Sequence, residues 1–329
     1  MTHSLLDICD LRIRFGASEA VRGLDLTLGR GETLALVGES GCGKSSVALA
    51  LLRLLPSTAT VTAERLQVLG EALPAAGDPA LRQIRGRRIG IIFQEPMTSL
   101  NPVLTIGAQI AETLRVHQNL TRRAAWRRAV ELLDLVRIPD PGRRATEYPH
   151  NLSGGMRQRV MIAIAVACQP LLLIADEPTT ALDVTIQAQI LELLDSLRRE
   201  FAMGLLLITH DLGVVAEWAD RVIVMYAGRA CEAAPAASLL RHPRHPYTIG
   251  LVGAAPRLDH GAHFSTGRLA EIPGSIASAA GVAGCAFAPR CPARQERCWQ
   301  QRPEPVALAD AAHLLACPVM EGRNAAAFG

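Results

Sequence analysis

Eight consecutive residues, Gly38-Glu39-Ser40-Gly41-Cys42-Gly43-Lys44-Ser45, fit the spacing G-x-x-x-x-G-K-[ST] at every fixed position. That spacing suits a phosphate chain. Glycines let the backbone curl around an anion without Cβ clashes, and the N–H groups then point inward. Lys44 would reach the β- and γ-phosphates of a nucleotide, Ser45 would ligate Mg²⁺, and Ser46 completes the phosphate-facing set. Lys44 is also the only lysine, because 33 of the 34 basic residues are arginine. An arginine-rich composition explains the 33 and makes the exception informative: a compact ammonium enters a tight site that a planar guanidinium does not.

A second group is acidic. Leu171-Leu172-Leu173-Ile174-Ala175 is a continuous apolar run that ends in Asp176-Glu177. In a parallel sheet, such a strand brings its C-terminal end beside the phosphate loop. Asp176 can then hold Mg²⁺, directly or through water, and Glu177 can polarise an attacking water as general base. Solvated acid pairs at strand ends are common, but this pair ends the most apolar strand in the chain.

A third group is Leu152-Ser153-Gly154-Gly155-Met156-Arg157-Gln158. Ser153 and two glycines before an expected helix over 156–167 make a second anion site. With the phosphate loop and the acid pair, this heptad resembles the LSGGQ signature of the ATP-binding subunits of ABC transporters, with Met156 where glutamine is usual. In that family two subunits sandwich two ATP molecules head to tail. The resemblance therefore implies that Ser153, Gly154 and Gly155 serve another chain's nucleotide. It further implies that Gln94 is the glutamine that senses Mg²⁺ and the γ-phosphate. His210 would contact the γ-phosphate, Thr180-Ala181-Leu182-Asp183 would form the loop that crosses the dimer, and Phe15 would stack on adenine. Read alone, a phenylalanine in an N-terminal strand is more often core, and a histidine after a strand is often a loop residue.

The elements that must position these groups are legible as apolar runs. Residues 34–37, 89–93, 171–177 and 205–209 read as buried strands, and 46–54 as the helix after the phosphate loop. Residues 106–137 are helix-rich, with apolar positions at Ala125, Val130, Leu132, Leu133 and Val136 marking one packed face. The arginines there read as a solvated face rather than a nucleic-acid patch. The resemblance implies an α/β fold: an ABC ATPase core of the P-loop NTPase kind, an inserted helical subdomain at about 100–165, and a small cysteine-containing C-terminal extension. We divide the chain into an ATP-binding domain over 1–250 and the extension over 251–329.

Composition bounds the rest. Hydrophobic residues are 49% and charged residues 20% of the 329, enough for a sizeable core and against wholesale disorder. A net charge of +3 does not argue for nucleic acid. The longest apolar stretch, 160–175, is broken by Gln169-Pro170, so no bilayer-spanning helix is expected. With Asp7 and Asp10 near the N-terminus and no basic-then-apolar leader, no secretory signal is expected.

The C-terminal third carries two further features. Arg241-His242-Pro243-Arg244-His245-Pro246-Tyr247-Thr248 reads, from its residues, as a proline-rich linker at a domain edge. It resembles the HPYT stretch of the oligopeptide, dipeptide and nickel importer branch, as Gln94-Glu95-Pro96-Met97-Thr98-Ser99-Leu100-Asn101-Pro102 resembles that branch's extension after the glutamine. Of eight cysteines, Cys9, Cys42, Cys168 and Cys231 are scattered, while Cys285, Cys291, Cys298 and Cys317 cluster. Clustered cysteines in a reducing compartment suggest metal before disulfide. The spacing matches neither a zinc ribbon nor the usual ferredoxin runs, so three readings stay open: a [4Fe–4S] cluster, zinc (with His313 as a ligand if that stretch is helical), or free thiols that only pack. Some members of the resembled branch bind a [4Fe–4S] cluster there. Nothing in the sequence connects this tail to the phosphate loop.

The resemblance implies an ATP- and Mg²⁺-dependent ATPase subunit of a peptide or nickel/metal-chelate importer. It would pair with a second ATPase chain and dock on two membrane permeases at the cytoplasmic face. A substrate-binding protein would serve the complex indirectly, with no nucleic acid involved. The rival is a soluble ABC ATPase acting on nucleic acid or ribosomes. A single phosphate loop, no heptad run and balanced charge weigh against it.

Overall fold

Apolar residues fill every position of three stretches and roughly every second position of two others, and the sheets follow that difference. The computed structural model describes residues 4–95, 99–180, 182–254 and 271–320. In chain order its strands are β1 (Leu6–Phe15), β2 (Ser18–Leu28), β3 (Thr33–Val37), β4 (Ala59–Thr62), β5 (Arg65–Val68), β6 (Glu71–Ala72), β7 (Ile89–Ile92), β8 (Leu172–Asp176), β9 (Gly204–Thr209), β10 (Arg221–Tyr226), β11 (Arg229–Pro235), β12 (Val306–Ala307) and β13 (Leu314–Leu315). Strands β1 and β2 bury alternate residues and pair antiparallel, with a register shift where the spacing slips from Ile8 to Leu11. With β4, β5 and β6 they form one antiparallel sheet.

Strands β3, β8 and β9 are buried at every position. Such sequences belong in the middle of a sheet covered on both faces. They lie side by side and parallel, with β7 and β10 outside them, also parallel. Beyond β10 the sheet continues antiparallel through β11, β13 and β12. Alternation sends successive side chains to opposite cores. Leu34, Leu36, Leu172 and Ile174 join β1, β2 and the helix Lys44–Leu51 in one cluster. Leu173, Ala175, Leu205 and Leu207 pack with the helices Ile106–Gln118, Arg122–Leu135, Gly154–Val166 and Val184–Phe201 in a second. Ala35 and Val37 join a third, shared by Val222, Val224, Tyr226, Tyr247, Phe287 and all four C-terminal cysteines.

The proline-rich stretch is not a linker. His245 and Tyr247 are 2% and 0% exposed, and Pro246 opens the helix Pro246–Ala254. The tail likewise has no core of its own. It packs on β10 and β11, and Leu314 and Leu315 pair with β11. Helix bounds differ from expectation by a turn or less: the helix after the phosphate loop starts at Lys44, and the signature helix starts at Gly154. Among the described residues no helix is long and apolar enough to cross a membrane.

Candidate active site

The parallel register sets the C-terminal strand ends beside one another: Val37 pairs with Thr209, Asp176 with Ile208, and Ile92 with Ala175. The phosphate loop leaves β3, Glu177 follows β8, His210 follows β9, and Gln94 lies two residues past β7. This is where ligands bind in open α/β sheets.

The loop's shape is enforced by its glycines. Gly38 has φ 152°, and a Cβ there would stand 2.2 Å from the Met225 carbonyl oxygen. Gly43 has φ 106°, and its Cβ would meet the Ala20 carbonyl oxygen at 2.5 Å. Gly43 precedes the helix Lys44–Leu51 without a side-chain cap, so the first-turn N–H groups stay free to face an anion. Lys44 is 5% exposed, and its ammonium donates to the carbonyl oxygens of Gly38 at 2.7 Å and Glu39 at 3.0 Å.

Asp176 is buried, and one of its oxygens, Oδ1, has no hydrogen-bond partner. Burial holds its carboxyl above the usual range, and the charge of Glu177 adds to that; the Ser45 hydroxyl and the Lys44 ammonium oppose it. An orphaned buried carboxylate oxygen beside a serine hydroxyl is an oxygen donor set suited to Mg²⁺. Asp176 and Ser45 thus fit the ion that the sequence implied.

Three side chains converge on a single oxygen of Glu177. Gln94 Nε2 donates to Oε2 at 3.2 Å, the Thr180 hydroxyl donates to it at 2.9 Å, and His210 Nδ1 stands 3.4 Å away. Glu177 itself has φ 46°, a left-handed conformation costly for a side chain of its size, held by its N–H donating to Ile208 O at 2.9 Å. Thr180 was expected only as part of a loop; its position three residues after Glu177 was the available signal.

The other expected residues lie elsewhere. Ser153 caps the helix Gly154–Val166, its hydroxyl accepting from the Met156 N–H at 3.3 Å. A Cβ on Gly155 would stand 2.8 Å from Ile186 Cγ2, so that glycine sets the approach of two helices. Phe15 ends β1, opposite Ser18 and Ala59, and is half-buried against the cluster of Val21, Cys42 and Val47. Ser40, Gly41, Cys42 and Ser46 belong to the loop and its helix, and Cys42 is fully buried. Asp183 caps the helix Val184–Phe201; Ala181 and residues 96–98 lie outside the described residues.

Cys285, Cys291, Cys298 and Cys317 are all buried, at 9%, 8%, 4% and 5% exposure. Burial pushes the thiols of Cys285 and Cys291 up to about 11 and about 12, and the neighbouring cysteines add to it. The four therefore come together. Even so, among the described residues no group of three or more His, Cys, Asp or Glu side chains is placed to hold a metal ion. The zinc reading with His313 fails on geometry. His313 is not helical; its Nε2 lies 2.7 Å from Glu232 Oε1, committed to a buried carboxylate.

The tail does reach the phosphate loop, against expectation. Arg290 grips the Glu39 carboxylate with both arms of its guanidinium, at 2.7 and 2.9 Å, and the Glu39 N–H donates to the Tyr247 hydroxyl at 2.9 Å. No sequence signal announces a pair 251 positions apart.

Residues 21–180 match the family model described as ABC transporter, and residues 231–298 match the one described as oligopeptide/dipeptide transporter, C-terminal region. A putative peptide import ATP-binding protein of Brucella melitensis is 53% identical over 307 residues, 89% of this chain and 91% of that protein. The oligopeptide transport ATP-binding protein OppD of Mycobacterium tuberculosis is 52% identical over 334 residues, 98% of this chain and 53% of that protein. Among solved structures, cbiO1 from Clostridium perfringens, part of the ABC transporter complex cbiONQ, has a TM-score of 0.63 at 25% identity, covering 73% of this chain and 91% of that one. The dimeric bacterial ABC transporter cassette MJ0796 has a TM-score of 0.62 at 26% identity, over 70% and 98% of the two chains.

Proposed function

The chain belongs to the ABC transporter family of ATPases, and from that premise we propose that it powers an importer of peptides. The names of the relatives over nearly the whole chain support peptides ahead of nickel or metal chelates. The C-terminal match to the oligopeptide/dipeptide transporter region disfavours the rival role on nucleic acid or ribosomes.

The convergence on Glu177 carries the assignment of roles. In hydrolysis, the oxygen of water attacks the γ-phosphorus, its proton passes to Glu177, and the β–γ bridging oxygen leaves with ADP. Glu177 is the base: its carboxylate is aimed and held by Gln94, Thr180 and His210. Lys44 leaves its loop carbonyls to neutralise charge on the phosphates, and the loop N–H groups share that charge. Ser45 and Asp176 would hold Mg²⁺, with Gln94 as the further expected ligand, and the ion would supply charge neutralisation on the phosphates. Gly38, Glu39, Ser40, Gly41, Cys42, Gly43 and Ser46 shape the phosphate cradle, and Phe15 offers a face for adenine.

Ser153, Gly154 and Gly155 would complete a second chain's site, so the working unit is a pair of ATPase chains. It would dock on two permeases at the cytoplasmic face of the membrane, and a separate binding protein would deliver the peptide. A groove of about 600 Å³ lined by Leu54, Phe93, Val116 and Ile164 supports the docking, because three of these are large apolar residues left exposed. Phe93 adjoins Gln94, so the groove lies one residue along the chain from the contact on Glu177.

For the four C-terminal cysteines the proposal is a [4Fe–4S] cluster, with zinc as the alternative. Their common burial supports it, and the missing ligand geometry counts against it. Iron, sulfide and zinc measured on protein purified without oxygen decide it. Metal-free protein with four titratable thiols would leave a packed thiol unit.

The test of the catalytic assignment is Glu177→Gln with the partner chain present. Turnover should fall at least about 100-fold while MgATP binding survives, and an ATP-bound pair should accumulate on size exclusion. Near-normal hydrolysis would remove Glu177 as the base.

A further inference from the structure

Glu39 stands at a position that the G-x-x-x-x-G-K-[ST] spacing leaves open, yet each of its polar groups is spoken for. Its carbonyl accepts from the Lys44 ammonium at 3.0 Å and from the Cys42 N–H at 3.2 Å. Its N–H donates to the Tyr247 hydroxyl at 2.9 Å. Its carboxylate receives both arms of Arg290. Two of these partners come from beyond β11, from the helix Pro246–Ala254 and from the cysteine-bearing tail.

Arg290 is built for this contact. Its side chain is 4% exposed. Nε donates to the Pro273 carbonyl oxygen at 2.7 Å. One arm also donates to the Tyr226 hydroxyl at 3.3 Å, and the other to the Ile272 carbonyl oxygen at 3.0 Å. The plane lies over the rings of Tyr226 and Phe287, 5.7 and 6.0 Å from their centroids. Tyr226, Tyr247 and Phe287 in turn pack edge to face or tilted against one another. A guanidinium whose nitrogens all donate and whose face is stacked has one available position. It transmits that position to Glu39.

We infer that Arg290 and Tyr247 are positioning residues for nucleotide binding: from the C-terminal extension they hold Glu39, and with it the carbonyl pair from which the Lys44 ammonium is delivered to the phosphates. This rests on the ATPase role proposed above and extends it, because the tail then sets the affinity of the site. A loop held in one shape loses less freedom when the anion arrives, so the clamp favours binding more than the chemical step.

MgATP binding by the full-length chain is measured by calorimetry, and turnover in the assembled complex. Arg290→Ala should raise Kd and KM about tenfold or more, with kcat changed less than about threefold. Arg290→Lys keeps the charge without the two-armed fork and should restore only part of the affinity. Tyr247→Phe, which removes one acceptor and keeps the ring, should cost less than Arg290→Ala. Glu39→Gln combined with Arg290→Ala should be no weaker than the worse single variant, because both act through one contact. If Arg290 only braced the tail, Arg290→Ala would lower the melting temperature and leave Kd unchanged; that result overturns the inference. If Arg290→Ala does not fold, Arg290→Lys and Tyr247→Phe decide it, and wild-type Kd in both overturns it. Failure of the wild-type chain to bind MgATP at all would instead strike the ATPase role itself.

Discussion

Lys44 is 5% exposed, and its ammonium is held by two carbonyl oxygens at 2.7 and 3.0 Å. A guanidinium is planar and wider, and its charge is spread over three nitrogens, so it cannot sit between Gly38 O and Glu39 O and then swing to a phosphate. Lys44→Arg should therefore lower MgATP affinity at least about 100-fold without unfolding the chain. Titration of the variant with MgATP, beside a thermal melt, checks this; wild-type affinity would show that charge alone suffices. At this scale the sequence was most informative, because the phosphate loop is local: its glycines, Lys44 and Ser45 are neighbours in the chain. Gln94, Asp176, Glu177 and His210 were legible for a different reason. Each lies at or within two residues of the C-terminal end of a buried strand, and parallel strands align their ends.

The helix Gly154–Val166 depends at its start on Ser153, whose hydroxyl accepts the Met156 N–H. The same serine is proposed to face another chain's ATP, so one residue has a structural and a functional role that substitution can separate. Aspartate caps a helix about as well as serine. Ser153→Asp should leave stability within about 0.5 kcal/mol of wild type, where loss of the cap altogether costs about 1 kcal/mol. A carboxylate where a phosphate must arrive is repulsive, so the variant should lose ATP-dependent pairing and turnover. Urea unfolding and size exclusion with MgATP read the two effects apart, and pairing as strong as wild type would remove Ser153 from the second site. The element boundaries were readable from apolar period and punctuation, because strands such as β8 and β9 are buried on both faces and hold no polar residue before their last position. The misread segment was His242-Pro243-Arg244-His245-Pro246-Tyr247. Prolines and histidines look like linker until a buried acceptor for them is known, and Glu232 lies in another strand.

That acceptor organises the C-terminal half of the molecule. Glu232 on β11 is 1% exposed and accepts from the N–H groups of Arg244 and His245 at 2.8 and 2.9 Å, while His313 Nε2 lies 2.7 Å from it. One carboxylate thus ties the sheet, the segment that carries Tyr247, and the tail, by pairings 12, 13 and 81 residues apart. Such contacts have no spacing rule, which is why the sequence did not disclose them or the Arg290–Glu39 pair. The arrangement has a consequence for acid stability. His245 is fully enclosed, its Nδ1 accepts the Tyr247 N–H at 3.1 Å, and burial pulls its pKa down from 6.5 to about 4, with the charge of Glu232 only partly opposing this. Above pH 6.5 the ring is neutral in both the folded and the unfolded chain and contributes nothing to the pH dependence. As pH falls from 6.5 towards 4, the unfolded chain takes up a proton that the folded chain refuses, so stability is lost across that window and the loss levels off below it. A shift of this size corresponds to about 3 kcal/mol. Glu232 and His313 lie against the same segment, so the effect of His245 is taken as a difference between two proteins. His245→Gln offers the Tyr247 N–H an acceptor that does not titrate, and it should lower stability at pH 7.5 but flatten the acid limb. Urea unfolding of both proteins at steps from pH 7.5 to 4 measures it: the gap between wild type and variant should narrow by about 3 kcal/mol as pH falls, and parallel curves would exclude His245 as the group that sets the acid limit of this fold.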